Sequence, residues 1–197
     1  MSLLYFPAQS SDSSSGGALT FISKSTVSGT PSSIEFTSGI NSTYNTYMFL
    51  LEGLVNNSTN YSGVLRLNAS TNGGTGYGLN AYSATSANYS ISSGQAFSYL
   101  SSYDSVNSSD PVNISGIGAS GDTGFNTSGR IHLYNPSSTS LTKFMQGNVN
   151  YKSSGGVGQF ISAARFDQSN DIDAVKFDLS SGSFTAGSVS LYGVKTS

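Results

Sequence analysis

Residues 174–195, AVKFDLSSGSFTAGSVSLYGVK, contain two short strand patterns separated by a turn. In the first pattern, apolar Val175, Phe177 and Leu179 alternate with charged Lys176 and Asp178. A period of two is typical of a β-strand that has one buried and one solvated face. In the second pattern Val189 and Leu191 repeat that spacing. We therefore predict that the strand at 188–194 lies in the sheet with both side chains in the core.

Strand patterns continue upstream of this pair. The segment YMFLL at 47–51 is apolar on both faces, which predicts a central strand and leaves a helical turn as the alternative. Residues 65–69 and 77–81 flank the turn TNGGT, which predicts a hairpin. In the segment 129–136, Ile131 and Leu133 face away from their polar neighbours. Further strands are predicted at 18–27, 143–151, 158–166 and 187–194, whereas 83–128 is predicted to contain extended loops.

The composition favours a folded, charge-poor β protein. Half of the 197 residues are Ser, Thr, Asn or Gly, only 9% are charged, and the net charge is −2. Aromatic residues make up 12% of the chain, which argues against disorder. No basic cluster is present that would neutralise a phosphate backbone, and no run reaches the length of a membrane helix. We therefore expect no nucleic-acid partner and no membrane partner.

These patterns predict an all-β fold, an antiparallel β-sandwich of jelly-roll type with a short N-terminal arm. Two segments are expected: a flexible arm at 1–17 and a single sandwich domain at 18–197. The arm begins with an apolar tip, Leu3, Leu4, Tyr5 and Phe6, followed by a Ser/Gly run. This tip is the predicted docking site for a neighbouring subunit, and a frayed terminus is the alternative.

The sequence offers little for catalysis, so we expect no enzyme, no catalytic residues, no cofactor and no metal site. His132 is the only histidine and there is no cysteine, so a Ser–His–Asp triad would have to pass through that one residue. The only glutamates are Glu35 and Glu52, and nothing in the sequence brings them together as a glycosidase pair.

Two polar segments are alternatives for ligand binding. Asp167, Ser169, Asp171 and Asp173 place an oxygen at every second position, but the glycine and terminal glutamate of an EF-hand loop are missing, which favours a surface turn. A second segment combines aromatic and hydrogen-bonding side chains as sugar-binding loops do: Tyr99, Tyr103, Asp104, Asn107 and Asp110.

The C-terminal segment resembles the ending of small β-rich virion surface proteins of tailed bacteriophages. In those proteins a strand of the form I-x-x-[IV]-x-F precedes a Ser/Gly turn and a closing strand that ends in L-Y-G-[IV], as in Leu191 to Val194 here. Three upstream segments fit the same pattern: IEF at 34–36, YMFLL at 47–51 and GRIHLYNP at 129–136.

The resemblance implies a non-enzymatic virion structural protein on the particle surface. A capsid decoration (cement) protein on the outer shell is the preferred interpretation, and a tail-fibre or receptor-binding module that contacts host surface glycans is the alternative. The implied partners are further copies of the chain, as a homotrimer, and the major capsid protein or another virion protein. The tail-fibre alternative adds a host glycan as partner.

Overall fold

The structure is a computed structural model that describes residues 18–58, 63–91, 94–119, 124–153 and 156–195. Within these ranges the chain forms fourteen β-strands and one short 3₁₀ turn, Ser101–Tyr103. The strands are β1 Leu19–Thr26, β2 Ser33–Phe36, β3 Thr46–Asn56, β4 Val64–Ser70, β5 Ala81–Ile91, β6 Gly94–Tyr99, β7 Ser105–Ser108, β8 Val112–Gly116, β9 Gly118–Ala119, β10 Thr127–Tyr134, β11 Lys143–Ser153, β12 Gly156–Phe166, β13 Ala174–Leu179 and β14 Phe184–Val194. The predicted arm at 1–17, with its docking residues, lies outside the described ranges.

The strands form two sheets that pack face to face as an all-β sandwich. The large sheet has ten strands in the order β1-β14-β3-β10-β11-β12-β5-β6, with β7 beside β5 and β9 beside β3. The small sheet has the order β2-β13-β4-β8. Neighbouring strands are antiparallel, except that β9 runs parallel to β3.

The pairing of eight of these strands is nested in a jelly-roll-like manner. The outermost strands of the chain pair with each other, β1 with β14, and the next pair inward is β2 with β13. The series continues with β3 beside β10 and β4 beside β8. Successive pairs of this nested series therefore alternate between the large sheet and the small sheet.

Two insertions widen the large sheet beyond this nested set. The strands β5, β6 and β7 are inserted between β4 and β8, and the hairpin β11–β12 is inserted between β10 and β13. The strand β8 and the 3₁₀ turn pack against the inner side of β5, and β8 also contacts β12. The inserted strands thus continue the large sheet, which becomes eight strands wide along its main path.

The core lies between the two sheets and is centred on three aromatic rings. Phe49 of β3 contacts Phe36 of β2 and Phe177 of β13 edge to face, with ring centroids 5.4 and 5.3 Å apart. Such T-shaped contacts are favoured by the quadrupoles of the rings. Leu51, Ile131 and other alternate residues of the large sheet are fully buried around them.

The structure confirms the strands predicted at 47–51 and at 188–194. The strand predicted at 47–51 is part of β3, which lies between β14 and β10 in the large sheet. The strand predicted at 188–194 belongs to β14, where Val189 and Leu191 are fully buried. The expected all-β sandwich is confirmed.

Two local predictions are wrong. Residues 65–69 and 77–81 do not form a hairpin, because β4 pairs with β13 and β8 in the small sheet, whereas β5 pairs with β12 in the large one. The Asp173 carboxylate accepts a hydrogen bond from the Gly73 amide, 2.9 Å away. This contact fixes the turn that follows β4. The segment 83–128 is mostly strand, from β5 to β9, instead of extended loop.

We expect Leu191→Ala to lower the free energy of unfolding by about 2–5 kcal/mol, because it opens a cavity where the side chain is now fully enclosed. Leu19→Ala is the matched control, since it makes the same change on the edge strand β1, where the side chain is 45% exposed. The control should cost less than about 1 kcal/mol. Urea denaturation followed by circular dichroism measures both. Equal losses in the two variants would contradict the placement of β14.

Candidate functional site

The candidate site lies on the outer face of the large sheet, which points away from the small sheet. Because side chains alternate along a strand, each of its strands buries one set of residues and presents the other set outward. In β12, for example, Phe160 and Ala164 are buried, whereas Val157 and Ile161 are exposed. The outer face carries two distinct surfaces at opposite corners.

The first surface is an exposed aromatic patch at the corner formed by β1, β14, β3, β10 and β11. Its residues are Leu19, Phe21, Met48, His132, Tyr134, Phe144, Tyr192 and Val194. Register places Phe21 opposite Tyr192, Tyr192 opposite Met48 and Met48 opposite His132, in one row across the strands. Phe21 and Phe144 are 58% and 48% exposed. The patch is therefore continuous and largely apolar.

Within the aromatic patch, His132 is a packed residue. Its ring stacks on Tyr134, with centroids 5.9 Å apart and an interplanar angle of 20°. Partial burial, together with the nearby positive charge of Arg130, lowers the pKa of His132. Both effects disfavour the charged imidazolium form.

This lowered pKa makes stability depend on pH. The unfolded chain binds a proton on His132 more readily than the folded protein does, so stability is highest above the ordinary pKa of 6.5 and falls as the pH drops toward the folded-state pKa. We expect the melting temperature of the native protein to fall more than that of His132→Gln between about pH 7.5 and about pH 5.5. Parallel curves for the two proteins would contradict the direction of the shift.

The second surface is a shallow groove at the opposite corner, which we call the carboxamide groove. Its residues are Asn88, Gln95, Phe97, Asn148, Asn150, Val157 and Gln159. Two open depressions, of about 590 and 610 Å³, share Asn150 and Gln159 and so run into each other. The second depression continues to Arg130 and Glu52 on the neighbouring strands.

The inserted strands position the carboxamide groove. Asn150 of β11 lies opposite Gln159 of β12, Gln159 lies opposite Asn88 of β5, and Asn88 lies opposite Phe97 of β6. Directly opposite residues of antiparallel strands share a face, so these four side chains form one row. Asn148 adds a second amide on β11, and its Oδ1 accepts a hydrogen bond from Gln159 Nε2 at 3.2 Å.

The predicted sugar-binding loop is largely used for internal contacts. The Asp104 carboxylate accepts hydrogen bonds from the Thr85 amide, at 3.1 Å, and from the Tyr99 hydroxyl. The Tyr103 ring stacks on Phe160, with centroids 5.9 Å apart, and helps to cover the inner side of β12. Tyr103 and Asp104 thus hold the inserted strands together, whereas Tyr99 is 64% exposed.

The other two residues of that segment lie at the end of β7 and beyond it. Asn107 has a positive φ of 49°, a conformation that asparagine tolerates better than most residues. Asp110 accepts a hydrogen bond from the Ser108 hydroxyl at 2.7 Å, within its own turn.

The acidic run at 167–173 is divided among separate contacts. Asp167 forms an ion pair with Arg165 at 2.9 Å, and Asp173 binds the Gly73 amide. Among the described residues, no group of three or more metal-ligating side chains is close enough to hold an ion. The two glutamates also lie apart: Glu35 contacts Tyr77 beside the small sheet, and Glu52 pairs with Lys24 on the large one.

The sequence patterns do not predict the carboxamide groove, although they contain one indication of it. Asn148 and Asn150 alternate with Gly147 and Val149 in a predicted strand, which indicates that the two asparagines share one face of the sheet. Their alignment with Gln159 is not indicated, because it depends on the register between β11 and β12.

Comparisons with protein-family models, with curated proteins and with solved structures find no match to this chain. Across the described ranges, no helix is long and apolar enough to cross a membrane.

Proposed function

We propose that this protein is a non-enzymatic structural protein of a bacteriophage virion, a capsid decoration (cement) protein on the outer shell. In this role it associates as a homotrimer and contacts the major capsid protein. The observation that carries the proposal is the exposed aromatic patch on the outer face of a charge-poor sheet. The sequence resemblance to phage virion proteins indicates that the particle is a bacteriophage virion.

The aromatic patch has the composition of an interface. Single exposed apolar side chains are ordinary, but a contiguous group of them is typical of a surface that contacts another protein. Interface cores are depleted of charged residues and enriched in Tyr, Phe and Met, which all occur here. His132, with its lowered pKa, favours the neutral form within the patch.

The nested pairing of strands supports a jelly roll in the full sense, with the inserted strands as additions to it. Jelly rolls build viral capsid proteins, lectin domains and cupins, so the fold is compatible with a virion role. A fold of this kind supports several functions, and the choice among them depends on the surface.

The N-terminal arm is part of the proposed association. Leu19, the first residue of β1, belongs to the aromatic patch, so residues 1–17 join the described structure at that corner. We propose that Leu3, Leu4, Tyr5 and Phe6 dock on a neighbouring subunit. An apolar tip on a Ser/Gly tether can reach across a boundary between subunits.

A tail-fibre or receptor-binding module remains the second candidate. The loop that favoured it in the sequence uses Tyr103 and Asp104 for internal contacts, which weakens that argument. Position on the particle separates the two candidates, since a decoration protein covers the shell and a receptor-binding module occurs in few copies on the tail.

We expect the double variant Phe21→Ser and Phe144→Ser to lose occupancy on the virions of the phage that encodes this chain, because both exposed rings leave the proposed contact. Cryo-EM of intact particles measures the number of copies and their position. Phe97→Ser combined with Val157→Ser is the control, since it removes equally exposed apolar groups from the other corner. Full occupancy of the patch variant, or native protein found only on the tail, would refute the proposal.

Deletion of residues 1–17 should lower both the oligomer mass and the occupancy on particles, because the apolar tip no longer reaches its neighbour. Sedimentation equilibrium gives the mass, which we expect to be that of a trimer for the full chain. A full-length variant with serine at positions 3–6 separates the apolar contact from chain length. If both variants kept the native mass and occupancy, the arm would have no docking role.

A further inference from the structure

We propose that the carboxamide groove binds a neutral glycan chain. This inference goes beyond the structural role and does not rest on it, because the groove and the aromatic patch occupy different corners of the sheet. The inserted strands β5, β6, β11 and β12 supply its residues.

The hydrogen-bonding groups of the groove match those of a sugar. A carboxamide donates through its NH₂ group and accepts through its carbonyl oxygen, and a sugar hydroxyl likewise does both. Considering only the described part of the chain, the side-chain amides of Asn88, Gln95 and Asn150 make no hydrogen bond to the protein. Their donors and acceptors are therefore open to a ligand.

Phe97 supplies an apolar face beside these amides. Phe97 is 68% exposed on the edge strand β6, and Val157, which is 50% exposed on β12, lines the same depression. An exposed aromatic side chain at the rim of a polar depression is suited to stacking against the C–H face of a pyranose ring. The combination of stacking and amide contacts is more specific to sugars than either feature alone.

The charge of the groove favours an uncharged ligand. The lining of the first depression, taken over the described residues, contains no ionisable side chain. In the second depression Glu52 is paired with Lys24 at 3.2 Å, so that Arg130 is the one cation left at the far end. A nucleic acid or a polyanionic glycan would need a row of basic residues.

The dimensions of the groove favour an oligosaccharide over a single sugar. The groove lies on the four neighbouring strands β6, β5, β12 and β11, and the second depression extends it over β10 to β3. These six strands together span about 24 Å at the usual spacing between strands. Several sugar rings in a row fit this length. Affinity should therefore increase with chain length until the groove is filled.

The first experiment is a binding screen with the purified full chain. The probes are linear neutral hexasaccharides of glucose, mannose, galactose and N-acetylglucosamine, with hexagalacturonate as the charged comparison. We expect at least one neutral hexasaccharide to bind in isothermal titration calorimetry, more tightly than its disaccharide. Absence of binding to every neutral probe, or binding of hexagalacturonate alone, would overturn the proposal.

The second experiment places the bound glycan. Phe97→Ala and Asn150→Ala should each weaken binding of the best hexasaccharide by about tenfold, because one removes the stacking ring and the other a central amide. Phe144→Ala is the matched control, with an exposed phenylalanine on the same face but in the aromatic patch, and it should leave binding unchanged. Circular dichroism verifies that all three variants fold.

An unchanged affinity in Phe97→Ala and Asn150→Ala would overturn the assignment of the groove, as would an equal loss in Phe144→Ala. Particle occupancy is a separate readout: glycan binding can be present or absent whether or not the protein decorates a capsid. Failure of one proposal is thus distinguishable from failure of the other.

Discussion

The contact of Phe49 with Phe36 and Phe177 joins the two sheets, and the rest of the structure depends on it. These rings come from β3, β2 and β13, which are distant in the sequence, so the contact forms only when the nested strand pairs are in register. Once it forms, the period-two pattern of each strand decides which residues face outward. Both candidate surfaces are consequences of this choice of face.

The unequal size of the sheets creates the second surface. Four strands of the large sheet belong to the nested set, and the insertions add further strands beside them. The added strands bury their inner residues under β8 and the 3₁₀ turn, where Tyr103 stacks on Phe160. Their outer residues remain open, and amides from three of them form one row. A glycan site would thus be an addition to the sandwich, separate from the corner where β1 and β14 meet.

The two corners differ in the physical chemistry of recognition. The aromatic patch offers apolar area, with few groups that need a hydrogen-bonding partner, and this suits burial against another protein. The carboxamide groove offers donors and acceptors that water now solvates, with only Phe97 and Val157 as apolar elements. A protein surface placed there would have to provide a hydrogen-bonding partner for every amide. The hydroxyl groups of a glycan can provide these partners, because each of them both donates and accepts a hydrogen bond.

The sequence by itself determined the all-β class, the central position of β3 and the burial of Val189 and Leu191, because these follow from local alternation. It also contained the shared face of Asn148 and Asn150. Only the tertiary structure decided that β4 and β5 belong to different sheets, and that Gln159 lies beside Asn150. Strand partners and register are set by contacts between residues far apart in the chain, and a one-residue shift would turn every side chain to the other face.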